Sequence, residues 1–158
     1  MNRRKKRAYS LLVHKKYDNV IESLDAIDDT KNSDIENKEN ICLDRCRYAL
    51  ESFYKRLLLN HGINTLYDGK PTEKGTINSV AETVRKNIGA IFSFPSYSKN
   101  METGFNKLIE ASKNIVSGLA DDGGAHGKSK PPKVHIETVK AAESFIILLI
   151  NTTLPFEK

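Results

Sequence analysis

The sequence predicts an all-α chain folded as one antiparallel bundle of about five helices. Apolar residues recur at alternating intervals of three and four over successive stretches, the spacing of a single helix face. No alternating apolar–polar run flanks a tight Asn-Gly or Gly-Gly turn, so nothing signals a β-hairpin. The stretches are joined by short connections, and short connections make antiparallel neighbours. At 158 residues, 39% hydrophobic and 28% charged, the chain has the size and balance of one domain that buries a core without staples.

The first helix is expected from about Ala8 to Ile27, where Val13, Tyr17, Val20, Leu24 and Ile27 share a face and Ile21 widens it. A polar acidic loop, Asp28 to Asp34, follows. The second is expected from near Ile41, with Leu43, Cys46, Leu50, Phe53 and Leu57 as its core seam and His61-Gly62 as a glycine stop. A loop from Leu66 to Gly75 leads to a third helix over Thr76 to Phe92, closed by Pro95. The fourth runs from near Met101 to Leu119 through Phe105, Leu108, Ile109, Ile115 and Val116. The fifth, about Val134 to Thr152, is apolar on most sides, which places it at the centre of the bundle.

Charge is distributed unevenly. Residues 1–16 hold seven lysines and arginines and no acid, so a chain of net +5 leaves −2 on the remaining 142 residues. The body is therefore not a uniformly basic nucleic-acid binder. The tip, with Arg3, Arg4 and Lys5, is the part suited to a phosphate backbone or another anionic partner, if it is more than a solubilising end.

Cys42 and Cys46 are the only cysteines, and no further Cys or His pair stands at zinc-site spacing. They read as two reduced thiols near the core, with no metal and no cofactor implied. The longest apolar run, Phe145 to Ile150, is too short to cross a bilayer, and no signal-peptide core follows Arg7. A cytoplasmic protein without a membrane partner is expected.

One segment does not read as scaffolding. Between the fourth and fifth helices stands Asp121-Asp122-Gly123-Gly124-Ala125-His126-Gly127-Lys128-Ser129-Lys130. Glycines bare the backbone around a histidine, whose ordinary pKa suits both proton removal and proton donation near neutrality. Lys128 and Lys130 are placed to meet a phosphate, with Asp122 on the other side. The spacing fits no phosphate-binding loop.

Ala125-His126-Gly127, followed by a Pro-containing loop and then His135 to Phe145, resembles the end of the abortive-infection C-terminal domain family, in which an Ala-His-Gly segment precedes a long Ala-containing apolar helix. Ala49-Leu50-Glu51-Ser52-Phe53-Tyr54-Lys55, closing on His61-Gly62, resembles that family's helix with Glu-Ser and a Lys four residues after the Glu. The resemblance spans residues 41–154.

That family is similar in turn to the HEPN superfamily, small helical bundles that often act as metal-independent ribonucleases in bacterial defence. The resemblance implies a homodimer acting on RNA, with another protein of a defence system as a further partner, His126 as acid/base and Glu51 and Lys55 facing it. The related pattern sets an Arg-Asn pair about seven residues before the His; here Leu119-Ala120 stands there. Either Lys55, Lys128 or Lys130 replaces that cation, or the bundle is an inactive binding and dimerisation module. Without the resemblance, Glu51 and Lys55 read as an ordinary ion pair four apart on a helix surface.

Overall fold

The computed structural model describes residues 1–122 and 136–158, the side chains of 117–122 excepted. Among the described residues there are seven α-helices and no strand: α1 (Arg3–His14), α2 (Asp18–Lys31), α3 (Lys38–Asn60), α4 (Ile77–Lys86), α5 (Ile88–Ile91), α6 (Lys99–Asp122) and α7 (Ile136–Thr153). The all-α class is as the sequence predicts; the count exceeds five because two of the expected helices are broken.

The first break falls at Lys15-Lys16. Lys16 takes a left-handed backbone, φ 64°, without being glycine. The Tyr17 amide donates back to the Leu12 carbonyl at 2.8 Å and the Lys16 amide to Val13, the pair of bonds that ends a helix in a Schellman turn. The chain therefore reverses, and α1 lies antiparallel to α2, where Lys5 meets Asp28 and Tyr9 meets Asp25. Val13, expected on the core stripe, is 63% exposed. The second break is at Asn87, whose side-chain amide donates to the Thr83 carbonyl at 2.8 Å and separates α4 from α5.

The expectation for α3 holds well. Its seam, Leu43, Cys46, Leu50, Phe53 and Leu57, is buried throughout. Gly62, at φ +73°, lets the Ile63 amide reach back to Leu58 at 2.9 Å, again a Schellman stop. The central position falls to α3 rather than α7: α3 packs on α2, α4, α6 and α7, whereas α7 packs on α1, α3 and α6.

Side-chain contacts fix the directions. Cys42 lies by the Ile27 carbonyl and Asn19 by Ser52, so α2 and α3 are antiparallel. Tyr54 bonds Ser112 while Phe105 meets Phe156 edge-on, so α6 is antiparallel to both α3 and α7. Lys5 meets Glu143 and Lys15 meets Glu157, so α1 and α7 run parallel. Phe92, Phe94, Phe105 and Phe156 close one end with T-shaped contacts of 4.9–5.8 Å around Phe105.

The segment Ile136–Phe156, with a mean hydropathy of 1.3, is long and apolar enough to cross a membrane, unlike the six-residue run within it. Half of this apolar stretch is buried in the bundle, as in a core helix.

Candidate functional site

The residues that the sequence singles out fall in three places. His126, Lys128 and Lys130 lie outside the described residues; Asp122 ends α6, and Ile136 opens α7. Glu51 and Lys55 sit on α3, and the basic tip runs along α1 to Lys16, with Arg3, Arg4 and Lys5 in the first turn.

On α3, Lys55 Nζ is 3.2 Å from Glu51 Oε1, and Arg47 Nη1 is 4.0 Å from Glu51 Oε2 while its Nη2 holds Asp44 at 2.8 Å. Glu51 is buried. A carboxylate in such a position requires a cation, and it has two. The Lys55 side chain also lines an open cleft of about 420 Å³ between α2 and α3, with Arg56, Tyr48, Asp18, Glu22 and Glu73. That lining mixes both signs of charge, so the cleft carries no uniform field for an anion.

Register separates Lys55 from the end of α6. Ser112 is level with Tyr54. Ten residues further along α6, at 1.5 Å each, Asp122 lies about 15 Å toward the N-terminal end of α3. The described ends of α6 and α7 thus flank the end of the bundle where α3 begins, with α1 also beginning there, and Lys55 is well back from it.

The basic tip divides. Lys5, which the sequence places with Arg3 and Arg4 on an anionic partner, is instead buried. Its ammonium lies 2.7 Å from Asp28 and 3.3 Å from Glu143, and Lys31 bridges the same two carboxylates at 3.3 Å. Burial raises the pKa of Asp28, but hydrogen bonding and charge from Lys5 and then Lys31 prevail and hold it below the ordinary carboxylate range. Lys5 is a structural residue tying α1 to α2 and α7. Arg3 and Arg4 remain exposed.

A second buried polar cluster escaped the sequence reading. Glu157 accepts from the Tyr17 hydroxyl at 2.6 Å, lies 3.0 Å from His61 Nε2 and 3.7 Å from Lys15. Burial, and then the bond to Glu157, push the Tyr17 hydroxyl upward in pKa. His61, which the sequence places at a helix-ending glycine, has this carboxylate as its partner. Only its place before a helix-ending glycine was legible.

Among the described residues no three His, Cys, Asp or Glu side chains stand together as metal ligands. Cys42 and Cys46 are buried free thiols, both raised in pKa by burial.

Compared with known proteins, the chain matches no family model, no curated protein and no solved structure.

Proposed function

We propose that this chain is a HEPN-like helical protein of the abortive-infection kind, acting as a homodimer on RNA, with His126 as the acid/base of metal-independent cleavage. The reading is supported above all by α7, the long Ala-containing apolar helix that the resemblance calls for after the Ala-His-Gly stretch. The described part of α6 reaches Asp122, and the Gly-Gly-Ala-His-Gly stretch stands in sequence between it and the described part of α7. The chemistry needs no cofactor. His126 takes the proton of a ribose 2′-hydroxyl, the freed oxygen attacks the adjacent phosphorus, and the 5′-oxygen departs with a proton returned to it. The products are a 2′,3′-cyclic phosphate and a 5′-hydroxyl.

A specific observation favours a second reading, in which the bundle binds its partner without cutting. Leu119 replaces the expected arginine, and Lys55, a candidate to stand in for it, is held by Glu51 about 15 Å along α3 from the level of Asp122. Incubating a mixed RNA pool with the purified protein in EDTA, beside His126→Ala, separates the two. Cleavage by the wild type alone, leaving cyclic phosphate ends, supports the nuclease. Binding without cleavage by either protein supports the inactive module.

A further inference from the structure

We infer that the groove between α1 and α7 is a track for single-stranded RNA, an inference that rests on the reading of this protein as one that engages RNA. The groove has a volume of about 880 Å³, within the size range of ligand clefts at roughly 300–1,000 Å³. Arg3, Arg4 and Arg7 line its α1 wall, and Phe145, Leu148 and Asn151 lie on the α7 side.

Its charge is one-signed. Among the described residues Glu143 is the only acid in the lining, and it is already neutralised by Lys5 and Lys31. Arg3, Arg4 and Arg7 are exposed, and none has an ion-pair partner among the described residues. All three arginines of the tip line the groove together with the buried Lys5, while Lys6, Lys15 and Lys16 do not. Guanidinium is the group that grips phosphate with two parallel bonds and stacks on flat rings.

The α7 side supplies what a base needs. Leu148 is 49% exposed although it sits in the most apolar helix of the chain, and Phe145 is half-buried beside it. Asn151 is fixed by donating from Nδ2 to the Arg4 carbonyl at 2.9 Å, which leaves its Oδ1 buried with no hydrogen-bond partner. A buried acceptor without a donor is costly and asks for an explanation. A ribonucleotide brings, in one unit, an anion for the arginines, an apolar face for Leu148 and Phe145, and hydroxyl or amino donors for Asn151. An acidic peptide segment meets the arginines equally well but offers Leu148 and Phe145 no flat ring.

The test is fluorescence anisotropy with a 5′-labelled single-stranded 12-mer RNA. It uses the full chain carrying His126→Ala in EDTA, so that the RNA stays whole. Arg3→Ala/Arg7→Ala is expected to weaken binding by at least about tenfold and to lower the salt slope by roughly 1.4, the value for two lost contacts. Lys6→Ala/Lys16→Ala removes the same charge and is expected to weaken binding by no more than about threefold. Leu148→Asp, at an exposed position, is expected to weaken it about tenfold. Asn151→Leu is expected to narrow the preference for RNA over DNA of the same sequence.

Equal losses in the arginine and lysine pairs overturn the inference in favour of diffuse attraction to the tip. So does an acidic peptide that binds where RNA does not. If the wild type fails to cleave yet binds through the arginines, the nuclease reading falls and the groove stands. If it cleaves and the arginine pair changes neither binding nor KM, the groove falls alone.

Discussion

Tyr17 and Glu157, 140 positions apart, share a 2.6 Å hydrogen bond at the point where α1 turns into α2. The same carboxylate oxygen meets His61 at the end of α3. One side chain near the C-terminal end of the chain therefore joins three elements. Glu157→Ala strands the buried Tyr17 hydroxyl, at a cost of about 2 kcal/mol. Thermal melting should show a fall of about 4–8 °C. Tyr17→Phe, which leaves Glu157 its other partners, should cost about half as much. An unchanged midpoint in Glu157→Ala would show the cluster to be dispensable.

Tyr54 and Ser112 form a buried pair in which the proton can be assigned. Ser112 already donates its hydroxyl to the Ile109 carbonyl at 2.7 Å, so Tyr54 is the donor to Ser112. The two truncations are then unequal. Tyr54→Phe leaves Ser112 bonded to its own helix and costs about 1 kcal/mol, whereas Ser112→Ala abandons a hydroxyl in the core and costs about 2. Urea unfolding of the two variants checks the order; a Tyr54→Phe protein less stable than Ser112→Ala contradicts it.

The Lys5–Asp28–Lys31–Glu143 network gives stability a pH dependence on both flanks. Asp28 titrates in the fold below its ordinary value of 3.8, so its contribution is complete above that value and is lost as pH falls through the folded one. Burial lowers the pKa of Lys31, but Glu143 and then Asp28 outweigh it and raise the group above 10.5. Its contribution is complete below 10.5 and is lost as pH rises through the folded value. Asp28→Asn should therefore flatten the loss of stability below about pH 4, measured by chemical denaturation across pH. Identical acid limbs in mutant and wild type would sink this assignment.

Cys42 and Cys46 should be chemically silent in the native state. Both are buried, and burial raises their thiols, so almost no thiolate exists near neutrality. A disulfide reagent is expected to label two thiols in denaturant and essentially none without it. Rapid labelling of the folded protein would show that α3 opens locally.

Much of the fold was written locally. The α3 seam is legible because a 23-residue helix repeats its pattern long enough to define a face. The breaks at Lys16 and Asn87 are not, because no glycine or proline marks them: one rests on a lysine in left-handed backbone, the other on an asparagine amide that captures a carbonyl. Ile115, read as core from spacing alone, is 40% exposed. At the candidate site, the charge of Arg3 and Arg4 is plain in the sequence. The burial of Lys5 is not, since its acids lie 23 and 138 positions away. Leu148 reads as core in any apolar helix; only the packing of α1 beside α7 leaves it at the edge of a groove.

The parallel pairing of α1 with α7 also constrains the order in which the protein can be made. On the ribosome α1 and α2 emerge before α7, and the carboxylates of Glu143 and Glu157 that hold Lys5, Lys15 and Tyr17 emerge after α1 to α6. Until then α2 can already pack on α3, but the face of α1 that meets α7 is uncovered and its charge pairing incomplete. The docking of α1 on α7 is a closure over more than a hundred residues, the slow kind of step, so α7 sets when α1 becomes native.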